Sequence, residues 1–153
     1  MKYFIALFAL FCSLQSFAGS TSEVNCLTAA IYKEARSEPL KCQKAVAEVI
    51  LNRAEHPGYP DSICKVIKQP KQFSWWDNSE ANRKLLKGST EGLNKLDMLA
   101  YQEAKQIALL AYTGLLEGHP ALEDSLHFAT LETSNKWIRK KKVKMLCQNH
   151  KFM

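Results

Sequence analysis

The chain has 153 residues, 46% hydrophobic and 24% charged, with a formal net charge of +6 and five cysteines. That length holds one domain with a real core, and the composition excludes a disordered, collagenous or repeat chain. The modest basic excess points to an anionic partner without naming it, while the cysteines take their meaning from the compartment.

Lys2 is followed by an apolar run from Tyr3 to Leu14, and then by Ser16 and Ala18, small residues before a cleavage point after Ala18. This reads as a secretory signal over residues 1–18, because the run is shorter than the roughly 20 residues that span a bilayer. The exported domain is then 19–153, and the charge of +6 less that of Lys2 leaves +5. Cys12 leaves with the signal. Cys26, Cys42, Cys64 and Cys147 remain, an even set that reads as two disulfides in an oxidising compartment. We expect a periplasmic or secreted monomer with no membrane span and no nucleic-acid partner.

The first predicted helix runs from Cys26 to Arg36 with Asn25 as its cap, and Leu27, Ala30 and Ile31 form its apolar stripe. Ser37, Glu38 and Pro39 break it. A second helix follows from Leu40 to Ala54, with Val46, Val49, Ile50 and Arg53 on one face. His56 to Pro60 is a turn, and a short helix covers Ser62 to Lys68. Gln69 to Asn78 is an irregular loop. A long helix from Leu93 to Leu116 carries Leu93, Leu96, Ala100, Ala104, Ile107 and Ala111 at steps of three and four, as a core helix would. Ser125 to Leu131 is ambiguous between extended and irregular, and a basic stretch from Lys136 to Lys144 precedes Cys147. If the first two helices form a hairpin, Cys26 and Cys42 stand about 15 Å apart along it, beyond disulfide reach. Of the two pairings left, we adopt Cys26–Cys64 with Cys42–Cys147.

Glu34 is out of place. Helical spacing puts it on the stripe of Leu27, Ala30 and Ile31, in the last turn, where the helix dipole disfavours another negative charge. Burial and dipole both favour the protonated form, which prepares a general acid. The competing explanation is a structural ion pair with Lys33, Arg36 or Arg53. A second feature is the loop Lys71-Gln-Phe-Ser-Trp-Trp76. Its rings suit sugar faces and its amide and hydroxyl suit sugar edges, although core aromatics would give the same pattern. The histidines and cysteines lack metal-ligand spacing, and there is no nucleophile elbow or phosphate-binding glycine loop, so no metal and no cofactor are expected.

The stretch from Cys26 to Pro39, with Ile31-Tyr-Lys-Glu-Ala-Arg-Ser-Glu-Pro39 at its centre, continues into Gln43-Lys-Ala-Val-Ala-Glu-Val-Ile-Leu-Asn-Arg53. Together they resemble the cell-wall hydrolases of the spore cortex-lytic enzyme (SleB) type. Later blocks agree in order: Tyr59 to Ile67, Gln72-Phe-Ser-Trp75, His127-Phe128, Trp137 and Asn149-His-Lys-Phe152. Ser37 and Cys42 stand where that family has glycines, and Ala129 where it has a second histidine. The resemblance implies a mainly α (α+β, lysozyme-like) single domain and cleavage of peptidoglycan glycan strands at the MurNAc–GlcNAc bond. It implies Glu34 as the catalytic acid, with Gln72, Phe73, Ser74, Trp75, Tyr32, His127 and Trp137 lining sugar subsites. A lytic transglycosylase forming a 1,6-anhydro product is expected. The alternatives are a hydrolytic muramidase, with Asp77 or Glu80 as second carboxylate, and a non-enzymatic exported glycan-binding module. A zinc amidase is a third, poorer reading.

Overall fold

The structure is a computed structural model that describes residues 20–77 and 79–153, so the predicted signal segment lies outside the described residues. The first helix, α1, occupies residues 20–35 and already runs at residue 20. Asn25 is therefore inside the helix and not its cap. Val24 extends the apolar stripe one turn back, and its carbonyl accepts from Thr28 Oγ1 at 2.7 Å. Glu38 N donates to Ala35 O at 2.9 Å and closes the helix end ahead of Pro39.

Helix α2 spans Leu40–Glu55 and buries Val46, Val49, Ile50 and Arg53 along the predicted face. It is the hub of the fold, since both α3 (Ile63–Ile67) and α5 (Lys95–Tyr112) pack on it. Ser62 caps α3 through Lys65 N, and Asn94 caps α5 through Asp97 N at 2.9 Å. The face of α5 that packs runs through Tyr101, Ala104, Ile107 and Ala111; Leu96 falls outside it and is 78% exposed, a correction to the predicted stripe. Between α3 and α5 in the chain lies a short helix too brief to show an apolar period, α4 at Glu80–Leu86, capped by Ser79.

The C-terminal segment adds α6 (Lys136–Arg139) and three strands, β1 (Phe128–Thr130), β2 (Met145–Cys147) and β3 (His150–Phe152). Their order is β1-β3-β2, antiparallel throughout, with Phe128 and Met145 both opposite Phe152. Strands of this length show no readable alternation, which is why the basic tail hid them.

The bridges are Cys26–Cys64, joining α1 to α3, and Cys42–Cys147, joining α2 to β2. The second closes 105 residues. No helix among the described residues is long and apolar enough to cross a membrane.

Candidate active site

Glu34 sits at the C-terminal end of α1 and is half-buried between the core residues Ile31 and Ala35. The ion pair that would have explained it is absent: among the described residues no cation lies within 4.0 Å of its carboxylate. Arg36 is engaged elsewhere, bonding Tyr32 Oη at 2.9 Å and Asp97 at 3.1 Å, which ties the end of α1 to the start of α5. Burial pushes the Glu34 carboxyl above its ordinary value, and Trp75, then His150 and Arg53, pull it partly back. The Trp75 indole nitrogen is buried with no hydrogen-bond partner. It acts on the Glu34 carboxyl without a close hydrogen bond to it.

Arg53 connects Glu34 to an open cavity of ≈ 390 Å³ walled by Tyr59, Lys71, Gln72, His127, Phe128 and Trp137. Its guanidinium donates through Nε to Leu126 O at 2.7 Å. The Gln72 amide orientation that satisfies both groups accepts from Nη1 at 2.9 Å and Nη2 at 3.2 Å. The faces of Tyr59, Phe73 and Phe128 lie 5.5–5.8 Å from the guanidinium carbon. Desolvation lowers the Arg53 pKa.

The structure gathers Gln72, His127 and Trp137 at this cavity and sets Trp75 beside Glu34. His127 meets Trp137 edge-on at 4.9 Å. Ser74 is exposed on the same loop. Phe73 and Tyr32 need correcting as sugar contacts: they are 3% and 2% exposed, because both pack in the core, Phe73 against Phe128 and Tyr32 against Tyr101. The two spare carboxylates are also committed. Asp77 accepts from Ser79 N and from Asn82 Nδ2 at 2.7 Å, which holds it below the ordinary carboxylate range, and exposed Glu80 pairs with Lys84 at 3.4 Å.

Three residues near the site were not singled out from sequence. Arg53 stood on the apolar stripe of α2 as Glu34 stood on that of α1, so the same signal was there to find it. Glu38 and His150 form a buried pair at 2.7 Å that no spacing rule connects across 112 positions. No group of three His, Cys, Asp or Glu among the described residues is placed to hold a metal ion.

A mostly helical α+β domain, with a half-buried carboxyl at a helix end beside a cleft closed by a small antiparallel sheet, defines a lysozyme-like architecture. The chain belongs to the cell wall hydrolase family, which matches residues 37–153. That span starts just after Glu34. The spore cortex-lytic enzyme of Bacillus subtilis (strain 168) is 44% identical over 55 residues, 36% of this chain and 18% of that protein. Its counterpart from Oceanobacillus iheyensis is 42% identical over 55 residues, 36% of this chain and 20% of that protein. The aligned stretch is thus a small part of these relatives. Among solved structures, the catalytic domain of the Bacillus cereus SleB protein superposes with a TM-score of 0.61 at 26% identity, covering 86% of this chain and 88% of that one. The catalytic domain of the Bacillus anthracis germination-specific lytic transglycosylase SleB gives the same TM-score and identity, covering 86% of this chain and 93% of that one.

Proposed function

We propose that the chain is a peptidoglycan-cleaving glycosidase that acts on the MurNAc–GlcNAc bond as a lytic transglycosylase, with Glu34 as its one catalytic carboxyl. The observation that carries this reading is an acid raised by burial and left without an ion pair, while the candidate second carboxylates Asp77 and Glu80 are held by other partners and Glu38 is paired with His150. A hydrolytic glycosidase uses two carboxyl groups across the bond. A transglycosylase needs one. Protonated Glu34 donates to the glycosidic oxygen as the bond from the sugar C1 breaks. The same group, now a carboxylate, takes the proton of that sugar's C6 hydroxyl as its oxygen bonds to C1. The 1,6-anhydro ring closes, no water is consumed, and Glu34 ends protonated as it began.

Gln72 and Trp137 offer an amide and an exposed ring to the sugars, and the Trp75 N–H steadies the carboxylate form of Glu34 between the two steps. Two disulfides and the apolar N-terminal run support work outside the cytoplasm, in the periplasm or beyond it.

Digestion of purified peptidoglycan followed by mass spectrometry tests the reading. The expected products are disaccharides lighter by one water than hydrolytic ones, and Glu34→Gln is expected to release them at least about 100-fold more slowly. Products of hydrolytic mass would reassign the enzyme as a muramidase. Release at the normal rate by Glu34→Gln would remove Glu34 from the chemistry, and binding without any release would leave a glycan-binding module.

A further inference from the structure

Arg53 is a buried cation without a close ion-pair partner among the described residues. The residue is 2% exposed, yet among the described residues no carboxylate lies within 4.0 Å of its guanidinium. Buried charges are almost always paired with an opposite one. The direct contacts of Arg53 are neutral: one backbone carbonyl, one amide oxygen and three aromatic faces, with the Glu34 carboxyl acting on it electrostatically from beyond ion-pair distance. They orient the cation at the floor of the cavity and form no ion pair with it.

The cavity above supplies no acid of its own. Its polar lining includes Lys71, Gln72, Thr133 and Asn135, and neither Asp nor Glu. Lys71 holds φ at 62°, the left-handed region, which costs a residue with a Cβ about 1 kcal/mol or more. Glycine adopts that backbone freely. A lysine there accepts the strain and brings a second cation to the rim. A third cation, Lys141, lines the neighbouring hollow that shares His127, with Nζ 4.2 Å over the ring of Trp137. Burial first, then Lys141 and Arg53, lower the His127 pKa to about 4, so this ring adds no positive charge of its own near pH 7.

We infer that this cavity binds a carboxylate carried by the glycan strand, close to the bond that Glu34 breaks, and that it makes the enzyme select acidic strands. The inference rests on the reading of the site as a peptidoglycan cleft and adds what that cleft requires of its substrate. The planar donor fork of Arg53 suits a carboxylate, with Gln72 as the partner a bound carboxylate would displace or share. Two carboxylates of the polymer have this chemistry. One belongs to the stem peptide, and the other is the lactyl group exposed when that peptide is removed.

Binding is read apart from cleavage by using the Glu34→Gln protein and equilibrium binding to surface-immobilised glycan. Four forms of one peptidoglycan are compared. These are native sacculi, sacculi whose peptide carboxylates have been amidated with carbodiimide and ammonia, strands stripped of peptide by an amidase, and the same strands amidated. At least about tenfold tighter binding to the acidic member of a pair is expected. A preference within the first pair assigns the stem-peptide carboxylate, and one within the second pair assigns the lactyl carboxylate. The preference is expected to fall below about twofold when Lys71→Gln and Lys141→Gln are added, and to survive Lys41→Gln with Lys44→Gln, which removes equal charge from a separate hollow beside Glu48. Equal binding within both pairs overturns the inference. Equal loss in the two lysine variants also overturns it, because overall charge then explains the preference. Cleavage of native sacculi by the unsubstituted protein is scored alongside. No cleavage together with a retained preference removes the glycosidase reading and leaves the carboxylate site supported.

Discussion

The helices from residue 20 to Tyr112 and the segment from Ser125 to Met153 build facing sides of one cleft in different ways. The helical side is held by long apolar stripes, with Leu27, Ile31, Val46, Val49 and Ile50 fully enclosed. The C-terminal side has strands of three residues, an exposed α6 and few enclosed side chains, among them Cys147, His150 and Phe152. Glu34 and Arg53 come from the first side, while His127 and Trp137 come from the second. The carboxyl proposed to react thus stands on rigid helices, where sub-ångström placement is kept by packing. The groups proposed to touch the strand stand on short elements, which adapt more readily to a polymer. A few specific ties hold the second side in place: Cys42–Cys147, Glu38 to His150 at 2.7 Å, and Arg53 Nε and Asn52 Nδ2 to the carbonyls of Leu126, Leu122 and Ser125.

If that division is real, the two disulfides differ in what they protect. By loop-closure entropy, Cys26–Cys64 contributes about 4 kcal/mol and Cys42–Cys147 about 5 kcal/mol, a small difference. The expected functional difference is larger. Cys42→Ser with Cys147→Ser frees the C-terminal side from α2, so activity in urea should vanish well before the far-UV helical signal. Cys26→Ser with Cys64→Ser lowers one cooperative transition, and activity and helicity should fall together. Coincident activity and helicity curves for both variants would show a single folding unit and break the comparison.

A smaller effect separates stability from function within the helical side. Burial raises the Glu34 pKa above its ordinary 4.5. Between those two values the folded chain holds a proton that the unfolded chain has lost. The stability this contributes is present at low pH and is lost as pH rises through the folded pKa. Glu34→Gln stays neutral throughout. It should match the parent below about pH 4 and melt at a higher temperature than the parent near neutrality, while losing activity. Melting curves across pH check this, and a difference that does not grow with pH would mean that Glu34 carries no burial penalty.

Much of the helical side was legible in the sequence because its stripes repeat over several turns. Glu34 stood out because a charge interrupted such a stripe, and Arg53 interrupts the next one in the same way. The C-terminal side was opaque for physical reasons. A three-residue strand shows no period, and β3 is defined by its pairing with Phe128 and Met145, which are distant in sequence. The role of the loop aromatics was equally hidden. Phe73 and Trp75 are two positions apart, yet one is enclosed in the core and the other faces Glu34. Composition cannot separate them, because the difference lies in which side of an irregular loop packs against Arg53 and Phe128.

The smallest effect is the sharpest test of how the cleft was assembled. Lys71 keeps φ at 62° in the loop that carries Gln72 and Trp75. Lys71→Gly removes the Cβ that makes this backbone costly, a gain of about 1 kcal/mol offset in part by the greater freedom of glycine in the unfolded chain. The variant should therefore be as stable as the parent or slightly more so in urea melts. It also removes a cation from the rim, so its KM for acidic sacculi should rise several-fold while its kcat holds, since Lys71 is not among the groups that act on the Glu34 carboxyl. Lys71→Arg should show the opposite pattern, keeping the strain and the KM. A fall in stability and kcat together in Lys71→Gly would mean that the lysine holds the loop in shape, and that the strain has a structural rather than a recognition purpose.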